Sequence, residues 1–143
     1  MTIEQLSVFL ENRPGKLVEV LEALSSAGVD LRALSLADTA DFGILRIIVD
    51  KPRLALETLQ EAGFLVRTSD VIPVAVGDRP GGLAAVLRVL ADADVDVEYT
   101  YAFVAHSSDY AYVILRVEDD EEAINALKSK GVTLLTAEQV YGM

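Results

Sequence analysis

Apolar residues recur along the chain with two different periods. Between 17 and 27 they fall at 17, 20, 21, 24 and 27, and between 83 and 93 at 83, 86, 87, 90 and 93. Both runs follow the i, i+3, i+4, i+7 spacing that places one apolar stripe on a helix. Around them lie short segments rich in apolar residues: Ile3–Leu10, Leu31–Asp38, Phe42–Val49 and Phe64–Ile72, then Val74–Val76, Val95–Ala105, Tyr110–Val117 and Thr133–Val140. These read as strands. A second helix follows the third segment of each set, carrying Leu54, Leu59 and Ala62, and later Ala123, Ile124 and Leu127. "DKP" at 50–52 supplies an Asp cap and a first-turn proline for the earlier of these. Gly28, Gly63 and Gly131 stand where helices should stop, and Asp94 takes the place of Gly28 in the second set.

The pattern occurs twice because the sequence does. At a shift of 66, residues 12–32 meet 78–98 with ten of 21 positions identical (Arg, Pro, Gly, Leu, Val, Leu, Leu, Ala, Val and Asp). "ILR" at 44–46 matches "ILR" at 114–116, a shift of 70 that implies four extra loop residues in the second copy. Each copy reads βαββαβ. With right-handed crossovers this order gives an antiparallel four-stranded sheet with both helices on one face. The expected fold is therefore α+β: two tandem ferredoxin-like units, residues 1–72 and 73–143. Only Pro73 separates the last strand of one copy from the first of the next. That predicts one nearly continuous strand, with the proline bending it and breaking central pairing, and leaves room for strand exchange between copies.

"NRPG" (Asn12–Gly15) and "DRPG" (Asp78–Gly81) close the first strand of each copy. Proline suits a helix's first turn, Asn or Asp can cap free amides, and glycine permits close approach. The following amides, 15–17 and 81–83, would then face a small anion. The copies differ here. Lys16 adds a cation that Gly82 lacks, and Asp78 adds an anion where Asn12 is neutral, so the first copy should accept a carboxylate better and Asp78 would suit an ammonium group. Arg13 and Arg79 are expected to reach solvent or an acid.

"LENRPGKLVEVLEALSSAGVDL" and "VGDRPGGLAAVLRVLADADVDV" resemble the ACT domain, and the resemblance spans the whole chain as two units. It implies a non-enzymatic regulatory protein that binds a small molecule, an amino acid, at an interface between units. Carried over residue by residue, the ligand site would be Asn12, Arg13, Pro14, Gly15, Lys16 and Leu17, with Asp78, Arg79, Pro80, Gly81, Gly82 and Leu83 as its repeat. An amino acid's carboxylate would face the helix amides and its ammonium Asn12 or Asp78. With no catalytic domain alongside, the chain resembles a free-standing tandem ACT protein.

Composition narrows the alternatives. The net charge is −11, split as 7 basic against 11 acidic side chains in 1–72 and 5 against 12 in 73–143. Such a balance disfavours nucleic acid and anionic membranes. No run of 18 apolar residues spans a membrane. Acids in place of a basic start at residues 1–12 point to the cytoplasm. There is no cysteine, hence no disulfide, thiolate metal site or Cys nucleophile. "EDDEE" (118–122) reads as a solvated helix start rather than a metal site. His106, beside Ser107, Ser108 and Asp109, reads as a solvated loop rather than a triad. Neither phosphate-binding glycine motif occurs, nor an RNA-recognition signature. No catalytic residue, metal or cofactor is expected.

Two further features bear on partners. Val95, Val97, Tyr99, Tyr101 and Phe103 alternate along one strand face, where the first copy has Val29, Leu31, Ala33, Ser35 and Ala37. They read as core beneath the helices or as an aromatic wall for a ligand or partner. Leu34 and Leu36 are expected on the open sheet face, buried against another unit. Unpaired sheet edges and these apolar positions suggest a homodimer. The alternative function is an accessory subunit of a separate metabolic enzyme, with vestigial ligand sites.

Overall fold

The computed structural model describes residues 1–39, 41–105 and 107–143; the loop reading of His106 lies outside them. The elements run β1 (Ile3–Glu11), α1 (Lys16–Ser26), β2 (Leu31–Asp38), β3 (Phe42–Val49), α2 (Pro52–Glu61), β4 (Leu65–Gly77), α3 (Gly82–Asp92), β5 (Val97–Ala102), β6 (Tyr110–Val117), α4 (Asp120–Ser129), β7 (Thr133–Leu134) and α5 (Ala137–Tyr141). The residues gather into two compact units. One holds Glu4–Ser69 with Tyr141–Met143, the other Asp70–Val140 with Met1–Ile3.

The first unit carries strands in the order β2-β3-β1-β4. Leu6, Val8 and Leu10 of β1 and Leu45, Ile47 and Val49 of β3 point to one face, where Val20 and Leu24 of α1 and Ala55 and Leu59 of α2 pack on them. The second unit repeats this as β5-β6-β4-β7. Its core joins Ile72, Val74 and Val76 to Val113, Leu115 and Val117 beneath Val86, Leu90, Ala123 and Leu127. Burying such side chains is worth about 2 kcal/mol each, which is why the helical stripes and the alternation forecast the elements so well. The two βαββαβ units are ferredoxin-like, with antiparallel sheets and helices on one face.

Four details depart from the sequence reading. The strand continuous through Pro73 is present, but pairing is not broken there: the β4–β6 register runs through Pro73↔Ile114. The Pro73 carbonyl accepts from Leu135 N at 2.9 Å, and the short β4–β7 ladder pairs only Val74↔Leu134 and Ala75↔Thr133. The proline's missing donor therefore falls where that ladder ends. Secondly, the strand forecast over Thr133–Val140 stops after two residues and becomes α5. Thr136 and Gln139 form a reciprocal capping box, with Gln139 N donating to Thr136 Oγ1 at 3.1 Å and Thr136 N to Gln139 Oε1 at 2.8 Å.

Thirdly, α2 has Lys51 at its N-cap with no side-chain cap bond, because Asp50 Oδ1 instead accepts from Asp30 N at 2.8 Å. Lastly, strand register replaces the shift of 70. Leu10 pairs with Gly43, and its repeat Val76 pairs with Ala111. Gly43 thus corresponds to Ala111, a shift of 68, and the repeated "ILR" is a coincidence two residues out of step. The second copy gains two loop residues rather than four.

Candidate functional site

Arg-Pro-Gly makes the same turn in both copies. Lys16 N donates to the Arg13 carbonyl at 3.4 Å and Gly82 N to that of Arg79 at 3.0 Å. Between them Gly15 has φ 90° and ψ −11°, and Gly81 φ 83° and ψ −2°. Proline second and a left-handed glycine third define a type II turn. Pro14 and Pro80 therefore precede the helices rather than opening them. A Cβ at Gly15 or Gly81 would meet nothing within 4 Å, so it is the positive φ that requires glycine, not close packing. Neither α1 nor α3 has a side-chain cap. Asn12 instead donates from Nδ2 to the Thr39 carbonyl at 3.2 Å, and the Asp78 backbone donates to the Asp109 carbonyl at 3.0 Å. Of the amides expected to be open, Lys16 and Gly82 are spent on the turn.

Around the first turn lies a cavity of about 190 Å³, partly open to solvent. Its floor is Leu10, Leu17, Leu36, Ala37 and Gly43, and its rim Glu11, Asn12, Arg13, Lys16 and Asp38. The register explains it. Leu36 pairs with Leu45 and Asp38 with Gly43, so Leu36 and Gly43 share the helix-side face with Leu10. Along that face β3 reads Gly43, Leu45, Ile47, Val49. The glycine leaves its end rung empty, just where α1 has not yet begun. Of the first junction's residues forecast as a site, Asn12, Arg13, Lys16 and Leu17 line this cavity, while Pro14 and Gly15 shape the turn beside it. Arg13 pairs with Glu11 at 2.9 Å on the surface, and Lys16 reaches Glu19 at 3.2 Å with its side chain largely buried.

The second junction is built differently. A Cβ on Gly82 would collide with the Gly77 carbonyl oxygen, and one on Gly77 would sit 3.5 Å from the Arg79 guanidinium. Glu11 and Lys16 occupy these positions in the first copy. The start of α3 thus closes onto the end of β4, and Gly82 is buried there. Asp78, Arg79, Pro80 and Gly81 stand exposed above that closure. Leu36 and Gly43 correspond in register to Ala102 and Ala111. Sequence reasoning missed Leu36, Ala37 and Gly43 as cavity residues; the break in β3's apolar alternation at Gly43 was the available signal.

Two strand faces also need correcting. Leu34 pairs with Ile47 and Leu36 with Leu45, so both lie on the helix side and not on the open face. Tyr99 and Tyr101 pair with Arg116 and Ile114, on the face away from α3 and α4, with their rings stacked at 6.4 Å. Phe103 meets Tyr112 edge-on at 5.9 Å. Val95 and Val97 belong with the core beneath the helices, because a bulge between Val97 and Tyr99 switches the face.

The acidic run begins α4, with Asp119 Oδ1 accepting from Glu122 N at 3.0 Å. Asp120 is raised above its usual 3.8, chiefly by desolvation, which Arg116 opposes and Asp70 and Asp119 reinforce. Among the described residues no cluster of His, Asp or Glu is arranged to hold a metal ion, and no helix is long and apolar enough to cross a membrane.

Comparison with known proteins agrees with this architecture. The family model for an ACT domain pair matches residues 1–142, and the chain belongs to that family. Its structure is similar to the crystal structure of protein BT0572 from Bacteroides thetaiotaomicron, at TM-score 0.93 and 40% identity over 100% of this chain and 98% of that one. At 21% identity the fold also resembles the regulatory subunit of aspartate kinase from Thermus thermophilus, in its ligand-free form, with TM-score 0.63 over 90% and 92% of the two chains. The corresponding subunit from Thermus flavus gives TM-score 0.60 at 19% identity over 88% and 90%. No match was found among curated proteins. ACT domains are regulatory modules rather than catalytic ones.

Proposed function

We propose that this protein is a non-enzymatic cytoplasmic sensor of a small metabolite, an amino acid, bound at the first junction. The cavity beside Asn12–Leu17 carries the reading. Its 190 Å³ is below the range of about 300–1,000 Å³ usual for drug-sized ligands, which suits one small metabolite. It is framed by three separate segments: the β1–α1 turn, the end of β2 and the start of β3. A ligand there would tie these segments together and favour the chain arrangement that holds them so, since an effector shifts only what it binds differentially. Self-association as a homodimer, or docking onto a separate metabolic enzyme, would read out that change.

The test is calorimetric titration of the full chain against each amino acid in turn. Saturable heat from at least one is expected; flat traces throughout contradict the sensor reading. The alternative, an accessory subunit with vestigial sites, draws on the closed second junction. It predicts flat traces together with stoichiometric capture of one enzyme, indifferent to Arg13→Ala.

A further inference from the structure

The first-junction cavity has walls of two kinds, and together they describe its occupant. Below the rim the surface is made by Leu10, Leu17, Leu36, Ala37 and Gly43, with no charged side chain among them. A charged group pushed against such a floor loses hydration with nothing to replace it. At the rim Glu11 and Asp38 balance Arg13 and Lys16, so the lining carries two charges of each sign and is neutral overall. A zwitterion with no further charge matches that balance: its carboxylate would compete with Glu19 for Lys16, and its ammonium would face Asp38, since Glu11 is held by Arg13. Asn12 adds orientation. Its Nδ2 is held by the Thr39 carbonyl, which fixes the amide and turns Oδ1 toward the Gly43 position, 3.6 Å from where a Cβ would stand. That leaves an acceptor over the cavity, suited to an N–H donor.

Resting on the amino-acid reading above, we infer that the cavity takes a neutral α-amino acid with an aliphatic side chain, of the valine, leucine and isoleucine class, one molecule per chain. The side chain lies on the leucine floor, and Gly43 and Leu36 set how large it can be. The single copy follows from the second junction, where the chain closes on itself at Gly77 and Gly82. The large cavity bounded by Asp94, Asp96, Glu118, Asp119 and Glu122 offers no such match, since every charge on it is negative.

Gly43→Ala and Leu36→Ala test this in opposite directions. A Cβ at Gly43 would make only ordinary contacts, 3.5 Å from Leu36 Cδ1 and 3.7 Å from the Ala37 carbonyl oxygen, so that variant should fold. Leu36 is 52% exposed, so its truncation should fold too and keeps the test in force should the first variant fail. Affinities of the full chain for the amino-acid series are measured by calorimetry, with thermal unfolding as the fold check. The wild type should bind leucine or isoleucine at one per chain. Gly43→Ala should weaken the largest accepted side chain about tenfold and spare valine, since one methyl in a filled pocket is worth about that factor. Leu36→Ala should move the preference toward methionine or phenylalanine. Equal or tighter binding of aspartate or lysine, two molecules per chain, or leucine binding unmoved by either variant would overturn the inference while leaving the amino-acid reading intact. No binding of any amino acid would remove both.

Discussion

The two helix-opening junctions share a turn and differ in what surrounds it. Both place Arg-Pro-Gly in a type II turn, with glycine at φ 90° in the first and 83° in the second. In the first, Glu11 and Lys16 stand where the second has Gly77 and Gly82, and a glycine in β3 leaves a hollow. In the second, Gly77 and Gly82 let the helix start settle on the strand end. A duplicated motif has thus kept its backbone while its neighbours divided into an open and a closed form. The turn residues specify geometry; the residues one step outside them specify whether there is space for a ligand.

Importing the first copy's residue into the second should break the closed form most severely. Gly82→Lys forces a Cβ into the Gly77 carbonyl, and stability should fall by about 2–3 kcal/mol, the cost of overpacking a tight site. The reverse change, Lys16→Gly, should cost under about 1 kcal/mol, as glycine only loosens the chain there. Urea unfolding of the two variants measures the contrast, and equal losses would deny that the junctions differ.

The shared turn should behave alike in both copies. Gly15→Ala and Gly81→Ala each place a side chain at φ above 80°, for an expected loss of about 1–2 kcal/mol apiece. A large difference between them in the same unfolding assay would mean that one glycine serves something besides the turn.

Helix ends give a smaller contrast. After α1 the left-handed position is Gly28 at φ 75°, and after α3 it is Asp94 at φ 59°. Asp94→Gly should therefore gain about 0.5–1 kcal/mol, read as a raised midpoint of thermal unfolding.

The smallest effect is electrostatic. Asp120 in the folded state binds its proton more tightly than its usual 3.8, so the folded state is favoured at low pH. Stability from this group falls as pH rises from 3.8 through the raised value, and the loss is complete above it. Asp120→Asn should flatten that part of the pH–stability curve, with no gain from the substitution below pH 3.8. An unchanged curve would show that Arg116 offsets the desolvation fully.

The fold was legible because burial sets both periodicities. The stripe at 17, 20, 21, 24 and 27 faces the sheet through Val20 and Leu24, and the alternation Leu45, Ile47, Val49 faces it back. What escaped the sequence reading were features set by partners distant in the chain. The "ILR" match misplaced the copies because strand register is fixed by cross-strand pairs, not by tripeptides. Asp50 and Asn12 looked like caps, yet each found a backbone partner 20 and 27 residues away. The terminal α5 was readable in hindsight from Thr136–Gln139, a capping box hidden under a β-rich run. At the candidate site, the motif pointed to both junctions alike. Only the contacts of Gly43 and Gly82 distinguish a hollow from a closed seam.

The central claim is best tested by backbone amide NMR on the uniformly labelled chain during titration with leucine. Shifts should concentrate at Leu10, Asn12, Lys16, Leu17, Leu36 and Gly43, while the amides of Asp78–Leu83 other than Pro80 stay in place. Shifts confined to Asp78–Leu83, or equal at both junctions, would contradict the account.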